Sequence, residues 1–355
     1  MSGDFCCFYC GRFLPRAECS SEHIIPACLG ATLDKTGTKL VCKSCNTRAG
    51  KDVDQPFCRD WIIESKRFFH GVVSRGKRPS TKTGRIDWER PEQVEVYFLE
   101  HKVIAYRFRT KANESCVMFG SIGQEATPEA VDVVKKSLKD RFSNHKPIGP
   151  DAEQTDEERE VVKAIGAMGR NLKLTMSVDI TAWDRAVVKM GLGLACLYFG
   201  EEFARSQQAD RLRLFLWEED PNKRDEIPLH GSAGFLSQSE QKLSRIFHED
   251  KGIHTFCLVE IENKIGFFAG LFGDHENFLE IDALGTFCGR LPGTLMRGAV
   301  WLVDPKKKET TGPVSIEELL QQRSKERRLA AEKEFEAERE FAQKDQASKD
   351  PKKTS

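Results

Sequence analysis

"CFYCG" occupies residues 7–11 and "CKSCN" occupies residues 42–46, so two C-x2-C pairs frame a loop of 31 residues. Two thiolates two residues apart can hold a metal ion from one tight turn, and two such turns complete a tetrahedral zinc site. Glycine after the second cysteine permits the sharp turn of a zinc knuckle. One pair alone could be a redox centre, but the second pair favours structural zinc. The predicted ligands are Cys7, Cys10, Cys42 and Cys45, with Cys6 a weaker alternative to Cys7.

The remaining cysteines carry a second expectation. The chain has 355 residues and 12 cysteines, eight of them between residues 6 and 58. In a cytosolic protein of this length, such cysteines indicate metal sites or free thiols rather than disulfides. We therefore expect the others to be packing residues, buried as small hydrophobes. They are Cys19, Cys28 and Cys58 in the N-terminal cluster, and Cys116, Cys196, Cys257 and Cys288 elsewhere.

The loop between the cysteine pairs contains "SEHIIPACLG" at residues 21–30, where two titratable side chains precede an apolar step. A metal that joins the loop ends would bring Glu22 and His23 near Asn46. A neutral imidazole can take a proton from water. Neighbouring residues on a strand face opposite sides, so the pair shares a site only at a bend near Pro26. The alternatives are a structural role for His23 and helix capping by Asn46.

Taken together, C-x2-C-G, E-H-I-I-P and C-x2-C-N resemble the HNH endonuclease family, the ββα-metal nucleases, in the subgroup with a structural zinc. The resemblance covers residues 5–60. It implies a metal-dependent endonuclease that hydrolyses DNA phosphodiester bonds to a 5′-phosphate and a 3′-hydroxyl. It also implies that His23 is the general base, and that Glu22 and Asn46 provide oxygen ligands for a catalytic Mg²⁺ or Mn²⁺.

Two positions depart from the family pattern, and the role of a third residue, Asp54, is open. Glu22 stands where family members often have the shorter aspartate. The middle asparagine is missing from "DKTGTKLVC" at residues 34–42, where Gly37 or Thr38 takes its place. Asp54 is either a further ligand or an acid that stabilises the structure. These departures keep a second function open, a zinc-stapled nucleic-acid-binding or scaffold protein with a weakened nuclease centre.

The formal net charge is zero, yet positive charge is concentrated near the cysteine cluster. From Lys35 to Arg85 there are 13 Lys and Arg against 4 Asp and Glu, and residues 65–85 contain no acid. This run is either a solvated loop or a phosphate-binding segment. Its position after the cysteine cluster favours phosphate contact, and the resemblance implies DNA as the partner, with RNA as an alternative. The candidate nucleic-acid-binding residues are Lys43, Arg48, Lys66, Arg67, Arg75, Lys77 and Arg78.

The composition, 39% hydrophobic and 31% charged, indicates a globular rather than a disordered protein, and we predict an α+β fold. We predict a small zinc-stabilised ββα-metal domain, a larger α+β region and a charged C-terminal helix. The predicted divisions are a nuclease domain at 1–70, a basic linker with a small α+β region at 71–150, an accessory domain at 151–304 and a partly disordered helical tail at 305–355. The later regions show no motif that identifies their role, which leaves a protein partner or self-association open.

Several elements can be predicted individually. Alternating residues predict strands within 94–101, 102–109 and 115–120, and three strand-like runs follow at 253–262, 264–273 and 276–283, with a hairpin turn at Glu262-Asn263. Helices are predicted at 127–142 and 181–206. Ser315 and Glu318 form a capping box for a helix to about residue 346. No membrane span is expected, because the apolar run 187–200 is short and contains Lys189. The N-terminus lacks the features of a signal peptide, which favours the cytoplasm.

Overall fold

Two short hairpins form the N-terminal part of the molecule. The first pairs β1 (Phe5–Cys6) with β2 (Phe13–Leu14) around the first cysteine pair. The second pairs β3 (Cys19–His23) with β4 (Gly37–Cys42), which leads into the second cysteine pair. The computed structural model describes residues 3–70, 72, 82–86, 94–99, 102–109, 115–119, 146–148, 155–167, 174–175, 179–229, 252–273 and 275–349.

Short helices connect and follow these hairpins. Single 3-10 turns cover Arg16–Glu18 and Ala27–Leu29, and α1 covers Leu33–Thr36. After β4 the chain continues as helix without a break until a bend at Asp60. The successive segments are α2 (Lys43–Ala49), a π-helical turn (Gly50–Asp54), α3 (Gln55–Arg59) and α4 (Trp61–Phe69).

Two cysteines that we expected to be packing residues form a disulfide instead. Cys28 lies in the turn after the E-H-I-I-P stretch, and its sulfur is bonded to that of Cys58 in α3. The expectation rested on spacing along the chain. Folding brings their Cα atoms to 6.1 Å, within the range that a disulfide requires. The expectation of free thiols was therefore wrong for this pair.

The middle of the chain contributes a six-stranded sheet. Its strand order is β10-β5-β6-β7-β8-β9, and the predicted strands at 94–99, 102–109 and 115–119 are confirmed. Only the β8–β9 pair is parallel. The strands are β5 (Lys82–Ile86), β6 (Val94–Leu99), β7 (Lys102–Arg109), β8 (Ser115–Phe119), β9 (Lys146–Ile148) and β10 (Leu174–Thr175), with helix α5 at Asp156–Ala167. The helix predicted at 127–142 lies outside the described residues.

A long buried helix, α6 (Ile180–Phe199), follows. The side chain of Asp179 accepts a hydrogen bond from the Ala182 amide at 3.0 Å and so caps its first turn. Gly200, with φ of 76°, ends it and thereby divides the predicted helix 181–206. Three shorter helices continue the chain: α7 (Glu201–Ala204), α8 (Gln207–Trp217) and α9 (Pro221–Asp225).

A five-stranded antiparallel sheet forms the C-terminal part, in the order β13-β12-β11-β14-β15. The predicted hairpin is confirmed, since Glu262 and Asn263 both have positive φ in the turn between β11 and β12. Sequence analysis missed the last two strands. The strands are β11 (His254–Ile261), β12 (Lys264–Leu271), β13 (His275–Asp282), β14 (Gly298–Asp304) and β15 (Glu309–Ser315).

The final helix, α10 (Ile316–Lys349), begins at the predicted capping box. The Ser315 amide donates to the Glu318 carboxylate at 2.8 Å, and the Glu318 amide donates to the Ser315 hydroxyl at 3.1 Å. Strand β15 lies beyond the division expected at 304–305, yet it pairs with β14. Within the part of the chain that the structure describes, no helix has the length and apolar character needed to cross a membrane.

One continuous hydrophobic cluster joins the N-terminal hairpins to α6, α8 and the C-terminal sheet. The contact between α6 and the E-H-I-I-P stretch is especially close. A Cβ added at Gly193 would lie 2.6 Å from Cγ2 of Ile24, so only glycine fits at this crossing. The fold therefore positions the loop between the cysteine pairs directly against α6.

Candidate active site and cysteine metal site

The four predicted cysteine ligands converge. The sulfurs of Cys7, Cys10, Cys42 and Cys45 all lie within 4.8 Å of one another. Three of these residues are buried and Cys10 is half-buried. In the described part of the chain, no other group of three His, Cys, Asp or Glu side chains has such geometry. Four thiolates at this spacing suit a closed tetrahedral zinc site, and a bound Zn²⁺ would join the two hairpins.

The backbone around the sulfurs has the geometry of a zinc knuckle. Gly11 adopts a φ of 69°, which lets its amide donate to the Cys7 carbonyl at 2.8 Å. The Cys42 amide donates to the sulfur of Cys7 at 3.3 Å. The Phe8 amide donates to the carbonyl of Leu40 at 2.9 Å and so links the first knuckle to β4. These contacts explain why both pairs meet despite the long loop.

Helix α8 supports the first knuckle from the accessory region. The guanidinium Nε of Arg213 donates to the Phe8 carbonyl at 2.9 Å, and the indole of Trp217 donates to the Tyr9 carbonyl at 2.6 Å. Arg213 is almost fully buried, so its bond to the Phe8 carbonyl is a desolvated, charge-assisted contact. The N-terminal unit therefore depends on residues about 200 positions away for two of its backbone hydrogen bonds.

Glu22 and His23 lie at the end of β3, and their side chains take opposite sides of the strand. Glu22 pairs with Thr38 and is 3% exposed, whereas His23 pairs with Gly37 and is only half-buried. The Ile24 amide donates to the Thr36 carbonyl at 3.1 Å, which closes the loop beyond them. The glutamate therefore points into the protein interior.

The buried carboxylate of Glu22 meets a lysine that the analysis of the motif missed. Lys189 on α6 is fully buried, and its Nζ lies 2.6 Å from Oε1 of Glu22. The same ammonium donates to both carboxylate oxygens of Asp54 at 2.9 Å and to the His23 carbonyl at 2.8 Å. The Tyr9 hydroxyl donates to Oε1 of Glu22 at 3.2 Å. A lysine inside an apolar helix was the available signal, because a buried charge requires partners.

Burial and charge act in opposite directions within this network. Burial raises the pKa of Glu22, although Lys189 opposes the shift. Burial lowers the pKa of Lys189, but the carboxylates of Asp54 and Glu22 outweigh this effect and raise the pKa overall. Lys189 is therefore an ammonium at neutral pH, and it is the group that makes a buried glutamate tolerable.

Asn46 connects the second cysteine pair to β3. Its side-chain nitrogen donates to the Ser20 hydroxyl and the Ser21 carbonyl, each at 2.7 Å. Asn46 lies inside α2, which Cys42 precedes as the N-cap residue, so Asn46 does not cap that helix. These two bonds engage the side-chain nitrogen, so the amide oxygen is the atom of Asn46 that could bind a metal ion. The structure thus brings Asn46 to the strand that carries Glu22 and His23.

The predicted ligands of the catalytic divalent ion differ in how well they fit that role. The amide oxygen of Asn46 fits, since Mg²⁺ accepts few protein ligands and keeps several waters. Glu22 fits this role less well, because its Oε1 already accepts from Lys189 and Tyr9 in a buried environment. Asp54 also bonds Lys189, which agrees with the structural alternative considered for it.

The candidate nucleic-acid-binding residues have different surroundings. Lys43 is exposed beside the second cysteine pair, and Lys66 is half-buried. Arg48 lies 2.8 Å from Glu219 and stacks 4.6 Å above the Trp217 ring, so its charge is directed toward the accessory region. Arg67 is 9% exposed, which leaves little of it for a phosphate. Arg75, Lys77 and Arg78 lie outside the described residues.

Comparison with known proteins supports the resemblance for one segment of the chain. Residues 7–62 match the family model described as HNH endonuclease. A search of the curated proteins and a search of the solved structures each returned no match. The matched segment includes both cysteine pairs, the Glu22-His23 pair, Asn46 and Asp54. Residues 7–62 of this α+β chain therefore match the HNH endonuclease family model, and they contain four cysteines whose geometry suits a metal site.

Proposed function

We propose that this protein is a metal-dependent endonuclease that hydrolyses DNA phosphodiester bonds, with His23 as the catalytic base. The observation that carries the proposal is the HNH match at residues 7–62, within which the structure places Asn46 against the strand that ends in His23. His23 lies at the end of β3, where its side chain is half-buried.

In the proposed reaction, His23 takes a proton from a water molecule as the water oxygen attacks phosphorus. A new P–O bond forms and the bond to the 3′ oxygen breaks. The products are a 5′-phosphate and a 3′-hydroxyl, whose proton comes from solvent. A bound Mg²⁺ or Mn²⁺ would supply charge neutralisation at phosphate oxygens, with the Asn46 oxygen as its fitting protein ligand.

Cleavage of supercoiled plasmid with and without Mg²⁺ or Mn²⁺ tests this function. The wild-type protein should nick DNA only with the divalent ion, and His23→Ala should lower the rate by about 100-fold or more. His101→Ala provides a histidine control outside the matched segment and should cleave at the wild-type rate. Equal cleavage by His23→Ala, or cleavage in excess EDTA, would refute the assignment.

A second function has a specific observation in its favour. Glu22 is engaged with Lys189, and Thr38 occupies the region where the family has its middle asparagine. A zinc-stapled nucleic-acid-binding or scaffold protein with a weakened nuclease centre would have these properties. It would retain DNA in a gel-shift assay without cutting it under any divalent ion, whereas the endonuclease should do both.

Lys43 is the exposed candidate for phosphate contact beside the active site, and Lys66 and the segment with Arg75, Lys77 and Arg78 extend the proposed surface. Removal of one phosphate contact should reduce the slope of log affinity against log salt by about 1. RNA remains the alternative substrate. We also propose that the protein is cytoplasmic and that its C-terminal region binds a protein partner or a second copy of the chain. An anti-phage role is proposed by analogy.

A further inference from the structure

Lys189 is a cation that the accessory region inserts into the HNH region. It lies on α6, which is outside the residues matched by the family model, and its side chain is fully buried. Its acceptors all belong to the matched segment, namely the carboxylates of Glu22 and Asp54 and the carbonyl of His23. A buried ammonium needs acceptors for its three protons, and this site provides them.

The contact with the His23 carbonyl bears directly on the proposed base. At 2.8 Å, the ammonium fixes the peptide group of the residue that carries the imidazole. The Ile24 amide is held next to it by Thr36, and Gly193 of the same α6 lies against the Ile24 side chain. Helix α6 thus determines where β3 ends and how the chain leaves it.

The contact with Glu22 bears on the catalytic ion. An ammonium repels a divalent ion bound to the same carboxylate, because both are cations. The Lys189 nitrogen is 2.6 Å from Oε1 of Glu22, so Lys189 would oppose the binding of a divalent ion at this carboxylate. Lys189 therefore stands where the family pattern would lead one to expect the metal.

We propose that Lys189 is a positioning residue for His23, and that Glu22 is the counter-ion of Lys189 rather than a ligand of the catalytic ion. This inference rests on the proposed function of His23. It makes α6 a part of the proposed nuclease centre. It also explains why Glu22 stands in place of the shorter aspartate, because the longer side chain reaches inward to α6. Asp54 provides the second anion of the same group.

Binding of Mn²⁺ to the zinc-loaded full chain, followed by electron paramagnetic resonance, tests the role of Glu22 without requiring cleavage. Glu22→Gln should change the dissociation constant by less than about twofold, whereas loss of a true ligand should weaken binding by about tenfold or more. Asn46→Ala serves as the comparison that should weaken binding. A tenfold loss in Glu22→Gln would overturn the proposal.

Kinetics on plasmid DNA test the role of Lys189. Lys189→Met should lower kcat by about 100-fold, because displacement of a reacting group by about 1 Å has effects of this size. The KM for DNA should stay within about twofold, and Lys189→Arg should recover part of kcat. Lys264→Met removes an exposed lysine paired with Glu280 and should cleave at the wild-type rate. Wild-type kcat in Lys189→Met would overturn the proposal.

Lys189→Met leaves two carboxylates without their cation, so a second variant guards against simple unfolding. Lys189→Met combined with Glu22→Gln and Asp54→Asn removes these charges and should show the same fall in kcat. If the wild-type protein does not cleave DNA, the proposed function fails separately. The imidazole carbon–proton NMR signal of His23, assigned with His23→Ala, then decides: it should move in the triple variant, and an unmoved signal would refute the positioning role.

Discussion

The cysteine site and the Glu22–His23 site lie on the same two hairpins, yet they are built in different ways. All four cysteine ligands come from residues 7–45 and meet within 4.8 Å. The buried partner of Glu22 comes from residue 189, and that residue also holds the His23 carbonyl. One site is complete within the short HNH segment, whereas the other takes its cation from a helix of the accessory region.

The difference shows which kind of site a local motif can describe. Thiolates bind zinc strongly enough that four of them at the correct spacing define their own geometry. A carboxylate can accept either a metal ion or an ammonium, and its neighbours in space decide between them. For Glu22 that neighbour is Lys189, which no local pattern at residues 21–30 could indicate.

Removal of a cysteine ligand should have the largest effect on zinc binding and on the stability of the N-terminal hairpins. Cys42→Ala should lose the bound zinc and unfold the N-terminal hairpins, since structural zinc sites have apparent binding free energies of about 10–16 kcal/mol. Metal analysis by mass spectrometry and circular dichroism measure both effects. Cys288→Ala changes a half-buried free cysteine outside the site and should keep the metal. Unchanged zinc in Cys42→Ala would refute the structural site.

Removal of the lysine should have the next largest effect. Lys189→Met should lower the free energy of unfolding by about 3–5 kcal/mol, because it leaves buried carboxylates without a cation. Lys307→Met breaks an ion pair of 3.5 Å with Asp304 at the surface, where the lysine is 69% exposed, and should cost less than about 1 kcal/mol. Urea denaturation measures both, and similar losses would show that Lys189 contributes no more than a surface lysine.

The Cys28–Cys58 disulfide joins the turn that follows Glu22 and His23 to a helix that follows the second cysteine pair, so its removal should affect the segment that carries both sites. It closes a loop with a sequence separation of 30 that contains the second cysteine pair. Replacing both cysteines with alanine should lower the free energy of unfolding by about 3 kcal/mol, through the larger entropy of the unfolded chain. With reductant present, the variant and the wild-type protein should denature at similar urea concentrations. A difference that persists would mean that packing, not the bond, is responsible.

The smallest expected loss of stability concerns the contact between α6 and the loop that contains Ile24. Gly193→Ala places a methyl group 2.6 Å from the Ile24 side chain, so it should lower the free energy of unfolding by about 1–3 kcal/mol. Gly50→Ala adds the same group where no atom lies within 4 Å, and it should be neutral or stabilising by about 1 kcal/mol. Equal stability of the two variants would show that the crossing tolerates a wider separation.

Sequence analysis reached the parts of the structure that local chemistry determines. The α+β class, the cysteine cluster, the hairpin at Glu262-Asn263 and the capping box at Ser315 all follow from short patterns. The last two strands were missed. Strand β15 was missed because "GPVS" and the polar run before it do not alternate. Strand β14 takes its place in the sheet by pairing with β11, which is distant in sequence, and β15 then pairs with β14.

Only some residues of the candidate site could be predicted from the sequence. Asn46 and His23 could be chosen from the motif, but the disulfide of Cys28 and the ion pair of Glu22 depend on tertiary contacts. Lys189 was noticed only as an obstacle to a membrane span. A buried lysine also implies a buried anion somewhere in the fold, and the two acids near the motif were its available partners.

The support that α8 gives to the first knuckle has a consequence for biosynthesis. The hydrogen-bond donors to the carbonyls of Phe8 and Tyr9 are synthesised 205 and 208 residues later in the chain. At about 5–20 residues per second, the ribosome needs roughly 10–40 s to reach them after the knuckle is made. The nascent cysteine unit therefore exists for that interval without its supporting helix or Lys189. On the proposed mechanism, a nuclease of this design remains inactive until most of the chain has been synthesised, which protects the nucleic acids around the ribosome.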